Sequence, residues 1–166
     1  MDARPETGTP LVRGRTHVER TSERELVVRR TFDAPARLVF EAWTRPELFM
    51  RWWAPKSIGI PLLSCEMDVR TGGTYRLEFG RDASTTWTFF GKYLEVTPHS
   101  RLVWTSDEGE DEGAVTTVTF EETNGTTLLV LRDLYPSKEA LDEAVASGAT
   151  SCFDEQFGQL DELLAS

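Results

Sequence analysis

ATSCFDEQFGQLDELLAS, residues 149–166, places Phe153, Phe157, Leu160 and Leu164 at i, i+4, i+7 and i+11. That spacing predicts one long helix with a single apolar stripe, and it turns Asp154, Glu155, Asp161 and Glu162 away from the stripe. Such a helix needs an apolar surface to lie on. The stretch before it, residues 57–134, supplies one. Its runs Leu62 to Arg70, Tyr75 to Phe79, Thr86 to Val96, Arg101 to Ser106, Val115 to Glu121 and Thr126 to Leu134 are separated by turn signals. Among those signals are Gly72-Gly73, Pro98-His99-Ser100 and Asn124-Gly125. This is the pattern of an antiparallel meander. Alternation puts Leu63, Cys65, Met67 and Val69 on one face of their strand, and Tyr75, Leu77 and Phe79 on one face of the next.

Upstream, residues 25–32 form a β-branched run that ends at Phe32. Asp33-Ala34-Pro35 then opens a short helix carrying Ala36, Val39, Phe40 and Trp43, and Pro46 opens a second with Leu48, Phe49, Trp52 and Trp53. After Tyr135-Pro136, Ser137 caps a further helix that Ser147-Gly148 interrupts. The expected fold class is therefore α+β, with about seven antiparallel strands, two short helices after the first strand and a long C-terminal helix across the sheet. Residues 1–23, almost without large apolar side chains, are expected to be a flexible leader, and residues 24–166 one domain.

The 18 basic and 28 acidic residues leave a net charge of −10. A field of that sign repels nucleic acid and anionic lipid. Much of the acidity is local: DEGEDE, residues 107–112, carries −5. No apolar run approaches the length of a bilayer span and no secretory segment is read, so the expectation is a cytoplasmic protein with no membrane insertion. Two distant cysteines, Cys65 and Cys152, are expected as free thiols.

Signals for chemistry are sparse. There is no G-x-S-x-G elbow, and the two histidines are His17, in the leader, and His99, in a turn. Neither they nor the cysteines cluster as transition-metal ligands do. The acidic hexapeptide lacks the alternating ligands of a calcium loop. No catalytic residue, metal site or cofactor is assigned. The five Trp, nine Phe and three Tyr instead suggest an aromatic-walled pocket between sheet and last helix. Its candidate lining is Trp43 and Trp53 from the short helices, and Met67, Tyr75, Leu77, Phe79, Trp87, Phe89, Trp104 and Phe120 from the strands. Phe153, Phe157 and Leu160 come from the last helix. Arg132 and Asp133 point to opposite sides of one strand, so one of them is expected to face inward, and Arg132 is counted with the lining residues.

Several segments also carry a resemblance. Arg51-Trp52-Trp53-Ala54-Pro55, Asp68-Val69-Arg70-Thr71-Gly72-Gly73-Thr74-Tyr75, Gly91-Lys92-Tyr93-Leu94-Glu95-Val96 and Pro98-His99-Ser100-Arg101-Leu102-Val103 resemble successive motifs of the START-like (SRPBCC) superfamily. That superfamily includes Bet v allergen-like and polyketide cyclase-like proteins. The branch resembled is the one named for homologues of the activator of heat-shock protein 90 ATPase. The resemblance spans about Glu25 to Leu164 and implies the helix-grip fold, a curved antiparallel sheet wrapped on a C-terminal helix around a hydrophobic cavity. One departure stands out: where many members open the last helix with Gly-Trp, this chain has Cys152-Phe153.

Three functions follow as expectations. The first is binding of a small hydrophobic molecule in the cavity without catalysis. The second is a cyclase-like or hydrolase-like enzyme using a carboxylate or Arg132 there. The third is an interaction or stress-related regulatory protein, heat-shock protein 90 ATPase activator-like, or a homodimer formed through exposed Trp52 or Trp53. The co-chaperone role is the weakest, since the eukaryotic activators carry a separate chaperone-binding domain for which this length leaves no room.

Overall fold

A computed structural model describes residues 16–82, 84–106, 114–146 and 153–165. Eight antiparallel strands form one sheet: β1 (His17–Arg20), β2 (Glu25–Phe32), β3 (Leu62–Met67), β4 (Thr74–Asp82), β5 (Thr85–Thr97), β6 (Arg101–Thr105), β7 (Val115–Thr123) and β8 (Thr126–Leu134). Their order across the sheet is β1-β2-β8-β7-β6-β5-β4-β3. Helices α1 (Ala36–Thr44) and α2 (Pro46–Trp52) follow β2, with a 3-10 turn at Lys56–Ile58, and α3 (Lys138–Ala146) and α4 (Phe153–Ala165) follow β8. The α+β helix-grip arrangement expected from the sequence is present, with one strand more than anticipated. That strand is β1. The expected leader boundary at residue 23 falls in the turn of a hairpin in which His17 opposes Arg29 and Arg20 opposes Leu26. β1 is exposed along its whole length, so its backbone ladder holds it rather than apolar burial, and apolar content gave no sign of it. The acidic hexapeptide, Cys152 and residues 147–151 lie outside the described residues.

Local chemistry explains the main turns. Asn124 and Gly125 both adopt positive φ, 52° and 80°, as the tight β7–β8 connection requires. Bulges between Leu62 and Ser64, Gly80 and Asp82, and Tyr93 and Glu95 bend the β3–β5 end of the sheet. At Gly91, beside the last of these bulges, a Cβ would stand 1.9 Å from the Thr105 carbonyl oxygen, so only glycine lets β5 approach β6 this closely.

Residues directly opposed across antiparallel strands share a face. The registers therefore place Leu26, Val28, Arg30 and Phe32 of β2 on the same side as Asp133, Leu131, Leu129 and Thr127 of β8. Thr116, Val118 and Phe120 of β7 and Leu102 and Trp104 of β6 continue that side. It is the inner face, because Phe32 meets Phe157 of α4 at 5.8 Å and Trp104 meets Trp43 of α1 at 5.7 Å.

Candidate functional site

α4 is seated by polar groups as well as by its stripe. Phe157 and Leu160 are fully buried. Beside them, the Gln159 side-chain amide donates to the carbonyls of Trp52 (2.8 Å) and Ala54 (2.9 Å) and accepts from the Lys56 amide (2.9 Å). Gln156 donates to Trp53 O (2.6 Å), and Glu155 accepts from the Ser57 amide (2.8 Å). The carbonyls left unpaired where α2 ends thus find their donors on α4. On the other flank Arg30, buried on β2, faces Asp154 and Asp161 of α4 at 3.7 and 3.6 Å and donates to Thr16 Oγ1 at 2.9 Å. Turned away from the apolar stripe, Asp154, Glu155 and Asp161 still find partners beside it. Both flanks of the helix are occupied, so acids beside the stripe find a strand arginine on one side and a turn on the other.

Between α1, α2, α4 and this part of the sheet the space is filled by rings. Trp43 lies within 4.8–6.4 Å of the rings of Phe49, Trp52, Trp53, Trp104, Phe120 and Phe157. The expected lining residues Trp43, Trp53, Phe120, Phe157 and Leu160 are therefore mutual packing partners. Trp52 Nε1 donates to Ala42 O at 2.8 Å inside this cluster, and Trp53 stacks on Phe49 at 4.8 Å, so neither presents the exposed aromatic surface expected for a homodimer. The Trp43 Nε1–H is buried with no hydrogen-bond partner among the described residues.

The other end of the inner face is different. Met67 opposes Tyr75, Leu77 opposes Phe89 and Phe79 opposes Trp87, which sets these side chains on the side continued by Tyr93 and Trp104. Leu77 is buried, yet Trp87 is 45% exposed and Phe89 41%. Phe79 stands edge-on to Phe89 at 5.4 Å, and Tyr75 donates its hydroxyl to Thr105 O at 2.6 Å. Met67, Tyr75, Phe79, Trp104 and Phe153 are half-buried. On β3–β6 this face is apolar and aromatic, and part of it is open.

Further along the inner face, on β8, lies the carboxylate of Asp133. The expectation that Arg132 points inward is corrected: Arg132 opposes Val27 and Thr117 on the outer face and pairs with Glu25 at 3.8 Å in solvent. Asp133 takes the inward position, opposite Leu26 and Thr116, and Thr116 Oγ1 donates to its Oδ1. Burial pushes its carboxyl up to about 6, opposed by the Thr116 hydrogen bond. Burial, with the Asp133 charge adding to it, lifts the Tyr135 phenol to about 12. The Cys65 thiol, also on the inner face, rises to about 11 through burial and then through Glu66. Sequence alternation had narrowed the inward charge to two neighbours; the pairing register with β2 and β7 decides between them.

A family model described as Activator of Hsp90 ATPase homolog 1-like protein matches residues 33–165. The chain belongs to that family. A crystal structure of a Rhodobacter sphaeroides protein is 25% identical to this Activator of Hsp90 ATPase homolog 1-like chain, with a TM-score of 0.81 over 91% of this chain and 98% of its own. CalU16 from Micromonospora echinospora is also 25% identical, with a TM-score of 0.56 over 80% of this chain and 71% of its own. The AHSA1-like protein from Aeromonas hydrophila, at 21% identity and a TM-score of 0.63 over 80% and 90%, shares the fold. No curated protein matches the chain. The family's fold is a ligand-binding one.

Proposed function

We propose that the protein holds a small hydrophobic molecule on the open apolar face of β3–β6, beside the start of α4 rather than beneath its middle. The observation that carries this reading is the exposure of Trp87 and Phe89 on the same face whose other residues, such as Leu77 and Phe120, are 5% and 4% exposed. Large aromatics left open on a concave face gain by covering, and full burial of one such side chain is worth roughly 1.5–3 kcal/mol. No helix among the described residues is long and apolar enough to cross a membrane. Action in the cytoplasm is part of the proposal.

Nile red, an uncharged dye that brightens in apolar sites, tests it on the full chain. Expected is a saturable fluorescence rise that Trp87→Ala and Phe89→Ala each weaken about tenfold. Phe90→Ala should leave it unchanged, because Phe90 opposes Arg76 on the outer face. No rise, or equal losses in all three variants, overturns the reading. A second reading, acid–base catalysis on the bound molecule, is favoured by one observation: a carboxyl held near 6 on the inner face.

A further inference from the structure

On β5, Phe89, Gly91 and Tyr93 share the inner face, and Phe89 to Tyr93 spans about 13 Å at roughly 3.3 Å per residue. Gly91 adds no side chain between them. The Tyr75 ring lies there instead, its Cε2 2.9 Å from where a Gly91 Cβ would stand. Phe89 is open to solvent, whereas Tyr93 is only 4% exposed. A tyrosine buried to that degree ordinarily finds a partner for its hydroxyl. Tyr75, whose ring centroid is 5.8 Å from that of Tyr93, has one in Thr105 O. The Tyr93 hydroxyl has no hydrogen bond among the described residues. The unpaired polar side-chain atoms that are fully sealed among the described residues are Arg30 Nε and Trp43 Nε1, so the Tyr93 oxygen, unpaired too, still meets open space. Burial, then the Cys65 thiol, the Tyr75 phenol and the Asp68 carboxyl, raise the Tyr93 phenol above its ordinary value, so it keeps its proton and remains a donor. Cys65 in turn opposes Leu77, which opposes Phe89, so the groups around the Tyr93 hydroxyl and the open ring belong to one patch of the face.

We propose that the Tyr93 hydroxyl is the polar contact of the ligand seat, donating to the carbonyl oxygen of an apolar ketone or ester whose hydrocarbon part covers Phe89. The inference rests on the seat proposed above and adds the chemical class of its occupant. A carbonyl oxygen accepts the uncommitted proton and brings no donor that would need a partner of its own. A plain hydrocarbon of the same shape covers the phenol, strips it of water and leaves it unpaired, a penalty the ketone does not carry.

The test is displacement of Nile red from the full chain at pH 7.5 by two probes of one skeleton, 1-phenylheptan-1-one and heptylbenzene, which differ by a carbonyl in place of a methylene. The quantity read is the half-displacing concentration of the hydrocarbon divided by that of the ketone. Tyr93→Phe, which removes the hydroxyl alone, should lower that ratio about fivefold, the share of one hydrogen bond. Tyr75→Phe should leave it within about twofold, because that hydroxyl already donates to Thr105 O. Reading a ratio within each variant cancels both the probes' different affinities for water and any change in the dye's own affinity. Dye binding with a ratio that Tyr93→Phe leaves unchanged, or that both variants lower equally, overturns the contact while the seat stands. The infrared carbonyl stretch of the ketone bound to the unsubstituted chain gives a reading that needs no variant: a bond from the phenol lowers it from its position in hydrocarbon solvent, and an unshifted band overturns the contact. Failure of the dye to bind the unsubstituted chain overturns contact and seat together.

Discussion

The inner face of the sheet has two halves built from the same alternation of aromatic and aliphatic residues, and they end in opposite states. Over β2, β8 and β7, α1, α2 and α4 close on the strands until Trp43 touches six other aromatic rings. Over β3, β4 and β5, residues of the same chemistry leave Trp87 and Phe89 more than two-fifths exposed. The contrast shows that strand patterning sets which side is apolar, whereas the seating of α4 sets how much of that side is covered. Arg30 ties that helix to β2, and Gln156 and Gln159 tie it to the turn after α2. No equivalent tether between α4 and β4 or β5 is found among the described residues.

Four substitutions should sharpen the contrast. Trp43→Ala removes the centre of the closed half and is expected to cost about 3–5 kcal/mol, read by denaturant unfolding. A loss under 1 kcal/mol would mean that the rings are not tightly packed.

Asp133→Asn, at the boundary between the halves, should act with the opposite sign. The folded carboxyl titrates near 6 and the ordinary value is 3.8, so the folded state binds the proton more tightly. That stabilisation is complete below pH 3.8 and disappears as pH rises through 6, which leaves a strained charge at pH 7.5. The groups facing it are Leu26 of β2, Thr116 of β7 and the Tyr135 phenol. The asparagine variant should therefore gain about 2–3 kcal/mol at pH 7.5 and show no gain at pH 3.5. Unfolding curves at the two pH values that move in parallel would refute this.

Gln159→Leu strands two carbonyls and one amide where α4 meets the turn, and about 2 kcal/mol of stability should be lost. Amide exchange at Lys56 should accelerate in the same variant. Trp87→Ala, in the open half, should change stability by less than about 1 kcal/mol while weakening Nile red, the separation expected of a residue kept for contact rather than for packing.

The fold was largely legible because its signals are periodic. The α4 stripe, the turn pairs and the alternation in β4 and β7 all follow from spacing that neighbours in the chain control. The face that Trp87, Phe89 and Trp104 each take comes from the pairing register; that they are aromatic candidates for a lining was legible. Their division into covered and open was not, because it depends on where α4 comes to rest. Arg132 illustrates a second limit. β8 is apolar on both faces, Leu128 and Val130 against Leu129 and Leu131, so alternation alone gives no phase for the charges that follow. Arg30, Gln156 and Gln159 mark a third: polar residues in amphipathic elements read as solvent-facing until a partner from a distant segment is set against them.

Gly91 has a consequence for redesign. With the Thr105 oxygen 1.9 Å from where a methyl group would go, even alanine must wedge β5 from β6 and strain the Tyr75–Thr105 bond. The angle between the covered and uncovered floors is thus governed at a crease that offers a guest no side chain of its own, and changing that one hinge line would reshape the chamber while leaving every wall residue as it is.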